Sequence, residues 1–541
     1  DDYTFENMNK AFHSKYADMR KDWLDQYDND NVVLKWDGKK HEKHVITYSE
    51  YINTELIKFS LDDCKRSIPS LMDGLKEGHR KVLFVAFLRK LKYSGKTIKV
   101  AQLAGSVSEK AGYHHGEKNL ESTMTGMANS YVGSNNIPLL FRDGQFGSRQ
   151  EGGKDAAAGR YIWTKLDAMT RLLFREEDDD LLDHIEDDGD KVEPKFYVPI
   201  IPMILVNGCL AGIGTGWSSS VPCYNPLDLI AAIKTWLDND NQAFDTQDEV
   251  TISLLPEIKP WYRGHTGEMV SDDTRGSFTS WGRIEKDPKG KAVVTELPIG
   301  MWTSDFVEKL EKMREEKQIS SYKNHSTPKD ISFIITESDD GISCDEKNLK
   351  LHKPIRTSNM VLFTEEGGLK KFASPEEIID NFCNIRFSFY IKRKAKKLKD
   401  LEKEIKMLGN KKRFLQEVRD GVIKLFIELK GGKKQSRKTA DIIKELEEKG
   451  YDKNNEDEKK DEDEEMNSGH GYEYLLRLQI SSITAEKINK LENDIANRES
   501  EHEELSVTTE KDLWIRDLDE FQEAYLKWLP IINTEKQKKK K

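Results

Sequence analysis

The sequence predicts a multidomain protein of mixed α and α/β class. Three patterns indicate this: a helix-turn-helix spacing near residues 100–131, short strand-like runs between residues 250 and 360, and a pair of long leucine-spaced helices after Ser374. A length of 541 residues suits three or four domains. The composition, 36% hydrophobic and 34% charged, favours long exposed helices over one compact globule.

The first third contains the helical patterns. An amphipathic stretch runs from Phe12 to Tyr27 and is followed by a polar region. Val100–Glu109 reads as a short helix, residues 112–116 as a turn, and Glu117–Tyr131 as a second helix. Such a pair can place a recognition helix in a DNA groove. On pattern alone, an ordinary helical hairpin is the simpler interpretation.

The middle of the chain reads as short strands. Ile284-Glu285 and Ala292–Val294 flank Asp287-Pro288-Lys289-Gly290. Proline at the second turn position and glycine at the fourth fit a type I turn, so a hairpin is predicted here. Ile331–Ile335 reads as another strand.

The last third is predicted to be helical. Ser374 followed by Pro375 and Glu377 is a strong helix start, and the helix is expected to reach about Lys430, before Gly431-Gly432. A second helix is expected to return antiparallel to it as a coiled coil. The seam positions are Leu398, Leu401, Ile405, Leu408 and Leu415, then Ile488, Leu491, Ile495, Arg498, His502 and Leu505. Between the helices, Asp452–Glu465 is too charged to bury and is predicted to be disordered.

The charge of the chain does not decide whether its partner is a nucleic acid. The net charge of −11 argues against one. Residues 62–170, however, carry 17 lysines and arginines against 11 acidic residues, while residues 452–465 carry 9 acidic against 3 basic residues. The five cysteines form no CxxC pair, which indicates reduced thiols and no zinc site. No apolar run reaches the roughly 18 residues of a membrane helix.

Arg160-Tyr161 follows the glycine-rich loop Gly152–Gly159. Tyrosine can be a covalent nucleophile, and its ordinary pKa near ~10 means that a neighbouring guanidinium helps it to ionise. The same guanidinium can hold the oxygens of a phosphate under attack. Taken alone, a tyrosine after small residues is more often a packing residue.

Further motifs surround this pair. They are Arg66–Pro69, Asp73–Val82, Lys99–Ala104, Tyr113–Glu117, Val132–Asn136, Gly144–Arg149, Val192–Pro194, Pro202–Gly208 and Gly212–Trp217. In this order the set resembles the breakage-reunion region of type IIA DNA topoisomerases, and most of all the single-chain eukaryotic form. The resemblance extends from about Ala11 to Trp528.

The resemblance implies the domain organisation. Residues 1–60 would be a linker following the TOPRIM region, 61–195 a winged-helix DNA-cleavage domain and 196–372 an α/β tower domain. Residues 373–541 would be a coiled coil with a helical dimerisation gate and a disordered acidic insert at 452–468. The helical face of Trp514, Leu518, Phe521, Tyr525 and Trp528 would belong to that dimer-forming end. An intrachain hairpin without a partner is the alternative.

The resemblance also assigns the site. Tyr161 would attack a DNA phosphate and form a 5′-phosphotyrosyl link, Arg160 would stabilise the transition state, and His115 would assist. Ile213 would be the apolar wedge that enters a base step. This stretch is one residue longer than is usual in the family, so Leu210 is the substitute candidate. The predicted DNA contacts are Arg66, Lys76, Lys81, His114, Arg149 and Lys154.

The implied cofactors are Mg²⁺ and ATP. In the family the TOPRIM domain holds Mg²⁺, and this sequence contains no matching acidic set and no ATP-binding motif. Asp178–Asp180 and Asp187–Asp190 are interpreted as solvated loops, so no metal ligand is assigned. The expected partners are double-stranded DNA and a second copy of the chain, with no membrane. The expected location is the nucleus, or, for a viral protein, the host cytoplasm or nucleus.

Three functions remain in competition. The first is strand breakage and rejoining coupled elsewhere to ATP, which the intact Arg160-Tyr161 pair and His115 favour. The second is a non-catalytic architectural DNA-binding dimer. The third is the nucleophile-bearing subunit of a two-subunit prokaryotic enzyme. The acidic insert and the motifs Trp261–Gly264 and Glu296–Pro298 favour the single-chain form over this last alternative.

Overall fold

The computed structural model describes residues 2–27, 46–187, 189–239, 254–272, 276–288, 290–338, 341–428, 434–454, 471–478 and 485–534. It forms two compact units: Asp1–Phe389 together with Trp514–Lys541, and Tyr390–Leu513. Across the described ranges, no helix has both the length and the apolar character needed to cross a membrane.

The first unit contains most of the elements. Its α-helices lie at Asp2–Phe12, Ala17–Asp25, Tyr48–Tyr51, Ile57–Ser67, Glu77–Leu88, Val100–Lys110, Glu117–Ala128, Thr170–Leu173, Met203–Asn207, Pro226–Asp238 and Thr303–Glu315. Its strands lie at Ile98–Lys99, Leu140–Asp143, Trp163–Leu166, His184–Asp187, Asp190–Pro194, Cys209–Ile213, Ser218–Val221, Met269–Ser271, Ser277–Trp281, Arg283–Lys286, Ala292–Glu296, Ile319–Asn324, Phe333–Glu337, His352–Arg356, Met360–Phe363 and Leu369–Phe372.

The predicted helix-turn-helix is present. Its two helices are Val100–Lys110 and Glu117–Ala128, and their apolar positions recur every three or four residues and are buried. The second helix stops short of the predicted Tyr131, because the side chain of Asn135 donates hydrogen bonds to the carbonyls of Gly126 and Asn129 at its end. A small antiparallel sheet accompanies the helices, with Trp163–Leu166 as its central strand.

The strand-rich region forms an α/β layer. The predicted hairpin pairs Arg283–Lys286 with Ala292–Glu296, and the Gly290 N–H donates to the Asp287 carbonyl at 2.9 Å. Two further strands complete a four-stranded antiparallel sheet, of which Phe333–Glu337 begins two residues later than predicted. Helix Thr303–Glu315 packs on this sheet through Phe306 and Leu310.

The helix predicted to start at Ser374 spans Pro375–Arg419. The Glu377 N–H donates to Ser374 Oγ at 3.2 Å, which confirms the predicted cap. The helix ends well before Lys430, because Gly421 adopts a φ of +72° and the Val422 N–H turns back to the Glu417 carbonyl at 2.8 Å. Gly431-Gly432 lie outside the described residues.

Within the second unit, helix Ala485–Val507 lies antiparallel to helix Pro375–Arg419. Ion pairs fix the direction: Arg498 meets Glu404 at 3.0 Å and Lys412 meets Glu492 at 3.0 Å. Of the predicted insert 452–468, only 452–454 fall within the described residues. The remaining elements of this unit are Phe426–Glu428, Lys434–Ser436, Thr439–Glu448 and Glu473–Leu476.

The last helix, Glu510–Thr534, differs from the prediction. Its apolar face is covered inside the first unit, where Trp514 is fully buried and its indole N–H donates to the Ile200 carbonyl at 3.0 Å. Leu518 and Phe521 are also fully buried. The sequence shows which residues form this apolar face but not which residues pack against it. Its assignment to a dimer-forming end is corrected, because the face packs within the chain.

Candidate active site

Tyr161 ends a short helical turn, Gly159–Tyr161, that precedes strand Trp163–Leu166. Its side chain is 61% exposed, so it is not a packing residue. The Arg160 guanidinium lies 4.9 Å from the centroid of its ring. Gly159 presses against helix Glu117–Ala128 so closely that a Cβ there would lie 2.4 Å from Glu121 Oε1. The turn therefore presents a phenol to solvent from a fixed backbone.

A small basic cleft lies beside helix Glu117–Ala128, which contributes two of its lining residues. It is lined by Arg66, Lys76, Glu77, Gly78, His79, Tyr113, His115, Asn119 and Thr123. The cleft brings together three predicted site residues, Arg66, Lys76 and His115. Asn119 and Thr123 were not predicted from the sequence, although their spacing of four residues within the predicted helix places them on one helix face.

His79 adds an uncharged group to this basic surface. Burial lowers its pKa to about 4, and the charges of Lys76 and Arg80 act in the same direction. The imidazole is therefore neutral at physiological pH, and its Nδ1 accepts a hydrogen bond from the Lys76 N–H at 3.4 Å. His79 therefore lines the cleft as a neutral polar side chain and adds no positive charge to it.

Lys81 does not face the cleft. Its Nζ lies 2.8 Å from Glu193 Oε1 and donates to the Ala111 carbonyl at 2.7 Å, and its side chain is only 8% exposed. The prediction that Lys81 contacts DNA is wrong. A lysine in a helix is normally expected at the surface, and its carboxylate partner is far away in sequence.

Arg149 is also buried. Its Nη2 forms an ion pair with Glu296 and donates to the Leu297 carbonyl, and its side chain is 5% exposed. The prediction that Arg149 contacts a phosphate is therefore wrong as well, since its guanidinium is already engaged by a carboxylate from a distant strand.

His114 and Lys154 are exposed, as DNA contacts would be. His114 Nε2 lies 3.9 Å from Asp187 Oδ2 at the surface. Lys154 lies in the loop before Tyr161. Neither lines the basic cleft described above, and their contact with DNA stays a prediction.

Both wedge candidates lie on the hairpin of Cys209–Ile213 and Ser218–Val221. Ile213 is 75% exposed and Leu210 60%. Cys209 pairs with Val221 and Gly212 with Ser219, so the first strand carries one residue more than the second. This β-bulge accommodates an extra residue while leaving both apolar side chains exposed.

One acidic motif differs from its prediction. Asp178 was expected in a solvated loop, but it is buried, and its Oδ2 accepts from Arg386 Nη2 at 2.9 Å. Within the described ranges, no group of three or more His, Cys, Asp and Glu side chains could hold a metal ion. Those residues therefore offer no cluster of three protein ligands for Mg²⁺.

The site combines an exposed tyrosine beside an arginine, a basic cleft and an apolar hairpin. Comparison with known proteins identifies the protein family that has these features. Residues 66–519 match the family described as the A subunit of DNA gyrase/topoisomerase IV, and residues 1–64 match the C-terminal associated domain of TOPRIM. The chain belongs to the type IIA DNA topoisomerase family, which confirms the resemblance seen in the motifs.

Its relatives are enzymes named DNA topoisomerase 2. Those of Arabidopsis thaliana and Saccharomyces cerevisiae are each 38% identical over 96% of this chain. One from Invertebrate iridescent virus 6 is 36% identical over 96% of it. The chain spans 35% of the Arabidopsis relative and 37% of the yeast relative, about a third of their length.

A solved structure agrees with the sequence relatives. The Plasmodium falciparum topoisomerase II DNA-binding, cleavage and re-ligation domain matches 99% of this chain, with a TM-score of 0.83 and 35% identity. The chain covers 72% of that structure.

Proposed function

We propose that this chain is the DNA breakage-and-rejoining core of an ATP-dependent type II DNA topoisomerase, with Tyr161 as its nucleophile. The observation that carries the proposal is the exposed phenol of Tyr161 beneath the Arg160 guanidinium. The relationship to a solved DNA-binding, cleavage and re-ligation domain supports it.

In the proposed reaction, Tyr161 Oη loses its proton to water and attacks a backbone phosphorus. An O–P bond forms and the bond from phosphorus to the 3′ oxygen breaks. The 3′ oxygen leaves with the bonding electrons and takes a proton from solvent, and the 5′ phosphate stays on the tyrosine. The guanidinium of Arg160 stabilises the negative charge that builds up at phosphorus. The bond energy is retained, so the reverse reaction reseals the strand.

The basic cleft holds the duplex. Arg66, Lys76 and His115 contact the sugar-phosphate backbone, with His115 placed to bond a non-bridging oxygen. Such contacts position DNA without reading its sequence. Ile213 enters a base step from the neighbouring hairpin. A second duplex passes through the break while it is held open by a homodimer.

The domain boundaries remain those of the resemblance. The two helices and small sheet within residues 61–195 support a winged-helix domain, and the four-stranded sheet supports a tower within 196–372. The antiparallel helices support a coiled coil within 373–541, although its last helix packs in the first unit. A nuclear location is part of the proposal, and relatives include a mitochondrial and a viral enzyme.

The proposal includes Mg²⁺ and ATP as cofactors of a longer protein that would contain this chain. The described residues contain no group of three or more His, Cys, Asp and Glu side chains that could hold a metal ion, and the relatives are about three times as long as this chain. We therefore propose that both cofactors are bound outside this sequence.

The test uses a duplex in which sulfur replaces one bridging 3′ oxygen. A thiolate leaves more readily than an alkoxide because thiols have an ordinary pKa near ~8.5, so the chain's own residues can be assayed. We expect a covalent protein–DNA adduct that survives denaturation. Tyr161→Phe abolishes it, and Tyr48→Phe, at a tyrosine that is 70% exposed, preserves it.

Two outcomes contradict the proposal. One is an absence of adduct with the unaltered chain although it binds the duplex. The other is an adduct that persists in Tyr161→Phe. The first would favour the architectural DNA-binding dimer.

A further inference from the structure

The loop that leads to Tyr161, residues 144–158, is closed on itself by one carboxylate. Asp155 accepts hydrogen bonds from the Ser148 N–H at 2.8 Å, Ser148 Oγ at 2.6 Å and Gln145 Nε2 at 3.0 Å. Burial alone would raise the pKa of Asp155, but these hydrogen bonds outweigh it and lower the pKa. The loop is therefore held in one shape by an ionised side chain.

The outer side of this loop docks on residues 296–304. The Ser304 N–H, in the first turn of helix Thr303–Glu315, donates to the Gln150 carbonyl at 2.9 Å. Gly152 lies so close to Trp302 that a Cβ would come within 2.3 Å of the indole nitrogen. The loop thus supplies an acceptor that the open end of the helix requires.

A buried ion pair closes the contact. Arg149 Nη2 binds Glu296 and also donates to the Leu297 carbonyl at 3.1 Å. Glu296 Oε2 accepts from the Thr266 N–H and hydroxyl, each at 3.1 Å, and His265 Nδ1 lies 3.6 Å away. Burial would raise the pKa of Glu296, but the Arg149 guanidinium lowers it, so the carboxylate is charged.

Such a pair is an unusual way to hold a loop. Both side chains are nearly excluded from water, at 5% and 3% exposure. The cost of desolvating two charges offsets most of their attraction. Apolar side chains of similar volume in their place would therefore stabilise the fold at least equally. The pair and its extra hydrogen bonds do, however, restrict the loop to one position and one direction.

The same loop continues directly into the turn Gly159–Tyr161, which is set against Glu121 on its other side. Building on the proposed function, we propose that Arg149 and Glu296 are positioning residues for Tyr161. Their ion pair fixes the loop on residues 296–304 and thereby fixes the phenol relative to the phosphate. Neither residue touches DNA, so losing the pair slows the chemical step without weakening DNA binding.

The test compares Glu296→Gln with a matched control, Asp178→Asn. Both substitutions remove the acid of a buried ion pair and keep the side-chain shape, but Asp178 pairs with Arg386, and neither residue belongs to the loop or to residues 296–304. Single-turnover adduct formation on the sulfur-substituted duplex is measured below the melting temperature, over a range of DNA concentrations. The rate at saturating DNA reports positioning, and the half-saturating concentration reports binding.

We expect Glu296→Gln to lower the saturated rate by roughly 10- to 100-fold, the scale of a misplacement of about 1 Å. The half-saturating concentration stays within about twofold, and Asp178→Asn keeps the unaltered rate. Arg149→Lys keeps the charge but loses the forked geometry, so it also slows the saturated rate; it decides the question if Glu296→Gln does not fold.

The inference is overturned if both loop variants react at the unaltered rate, or if Asp178→Asn slows the reaction equally, because general destabilisation would then explain the loss. A failure of the proposed function looks different, since the unaltered chain would then form no adduct at all.

Discussion

Lys81 and Glu193 join two parts of the first unit through a buried ion pair, with Lys81 Nζ 2.8 Å from Glu193 Oε1. Lys81 lies on helix Glu77–Leu88 and Glu193 on strand Asp190–Pro194. The same ammonium donates to the Ala111 carbonyl. Lys81 therefore has a structural role, although it was one of the basic residues predicted to contact DNA.

Lys81→Met should destabilise the fold by about 3–5 kcal/mol, because it leaves the Glu193 carboxylate buried and unpaired. Urea unfolding measures this loss, and the double variant Lys81→Met/Glu193→Gln should recover most of it. DNA affinity of the folded variant should stay unchanged. Arg66→Ala is the contrast, since losing one phosphate contact should weaken binding and reduce the salt slope by about one. An equal loss of affinity in Lys81→Met, without a loss of stability, would restore Lys81 as a DNA contact.

Arg160→Ala should slow adduct formation by roughly 10²–10³, the scale for one preorganised electrostatic contact. The substitution removes the guanidinium above the Tyr161 ring. Single-turnover kinetics on the sulfur-substituted duplex give the rate. Arg160→Lys keeps the charge but loses the planar guanidinium, so its rate should lie between those of the unaltered chain and Arg160→Ala. A rate equal to that of the unaltered chain would remove Arg160 from the mechanism.

Ile213→Ala should reduce DNA bending, and Leu210→Ala is the comparison. Truncating an aliphatic side chain that becomes buried costs roughly 1–3 kcal/mol, so the ratio of bent to unbent duplex should fall by roughly 5- to 150-fold. Energy transfer between the ends of a labelled duplex reports the bend. The larger effect identifies the wedge. If neither variant changes the bend, the bulged hairpin does not act as a wedge.

Replacing residues 390–513 by a short flexible linker should weaken self-association sharply. These residues form the second unit, and the replacement retains residues 514–534 of the last helix, whose Trp514 is needed in the first unit. Sedimentation equilibrium compares the two proteins, and circular dichroism checks that the first unit still folds. An unchanged association constant would place the dimer contact in the first unit.

Local patterns carried most of what the sequence could predict. The cap at Ser374, the turn at Asp287–Gly290 and the helix-turn-helix all depend on residues a few positions apart, and all three are present. The failures share a different cause. Arg149, Lys81 and Asp178 each pair with a residue more than 100 positions away. A charged side chain is expected at the surface unless such a partner is known, and only the fold supplies it.

The discontinuity of the first unit has a consequence for biosynthesis. The chain leaves this unit at Phe389 and returns at Trp514, whose ring packs near Trp236 and Phe382. At ribosomal speeds of about 5–20 residues per second, the intervening segment takes on the order of ten seconds to emerge. For that interval the apolar surface awaiting the last helix is open to water, so the nascent chain should depend on chaperones until its C-terminal helix arrives.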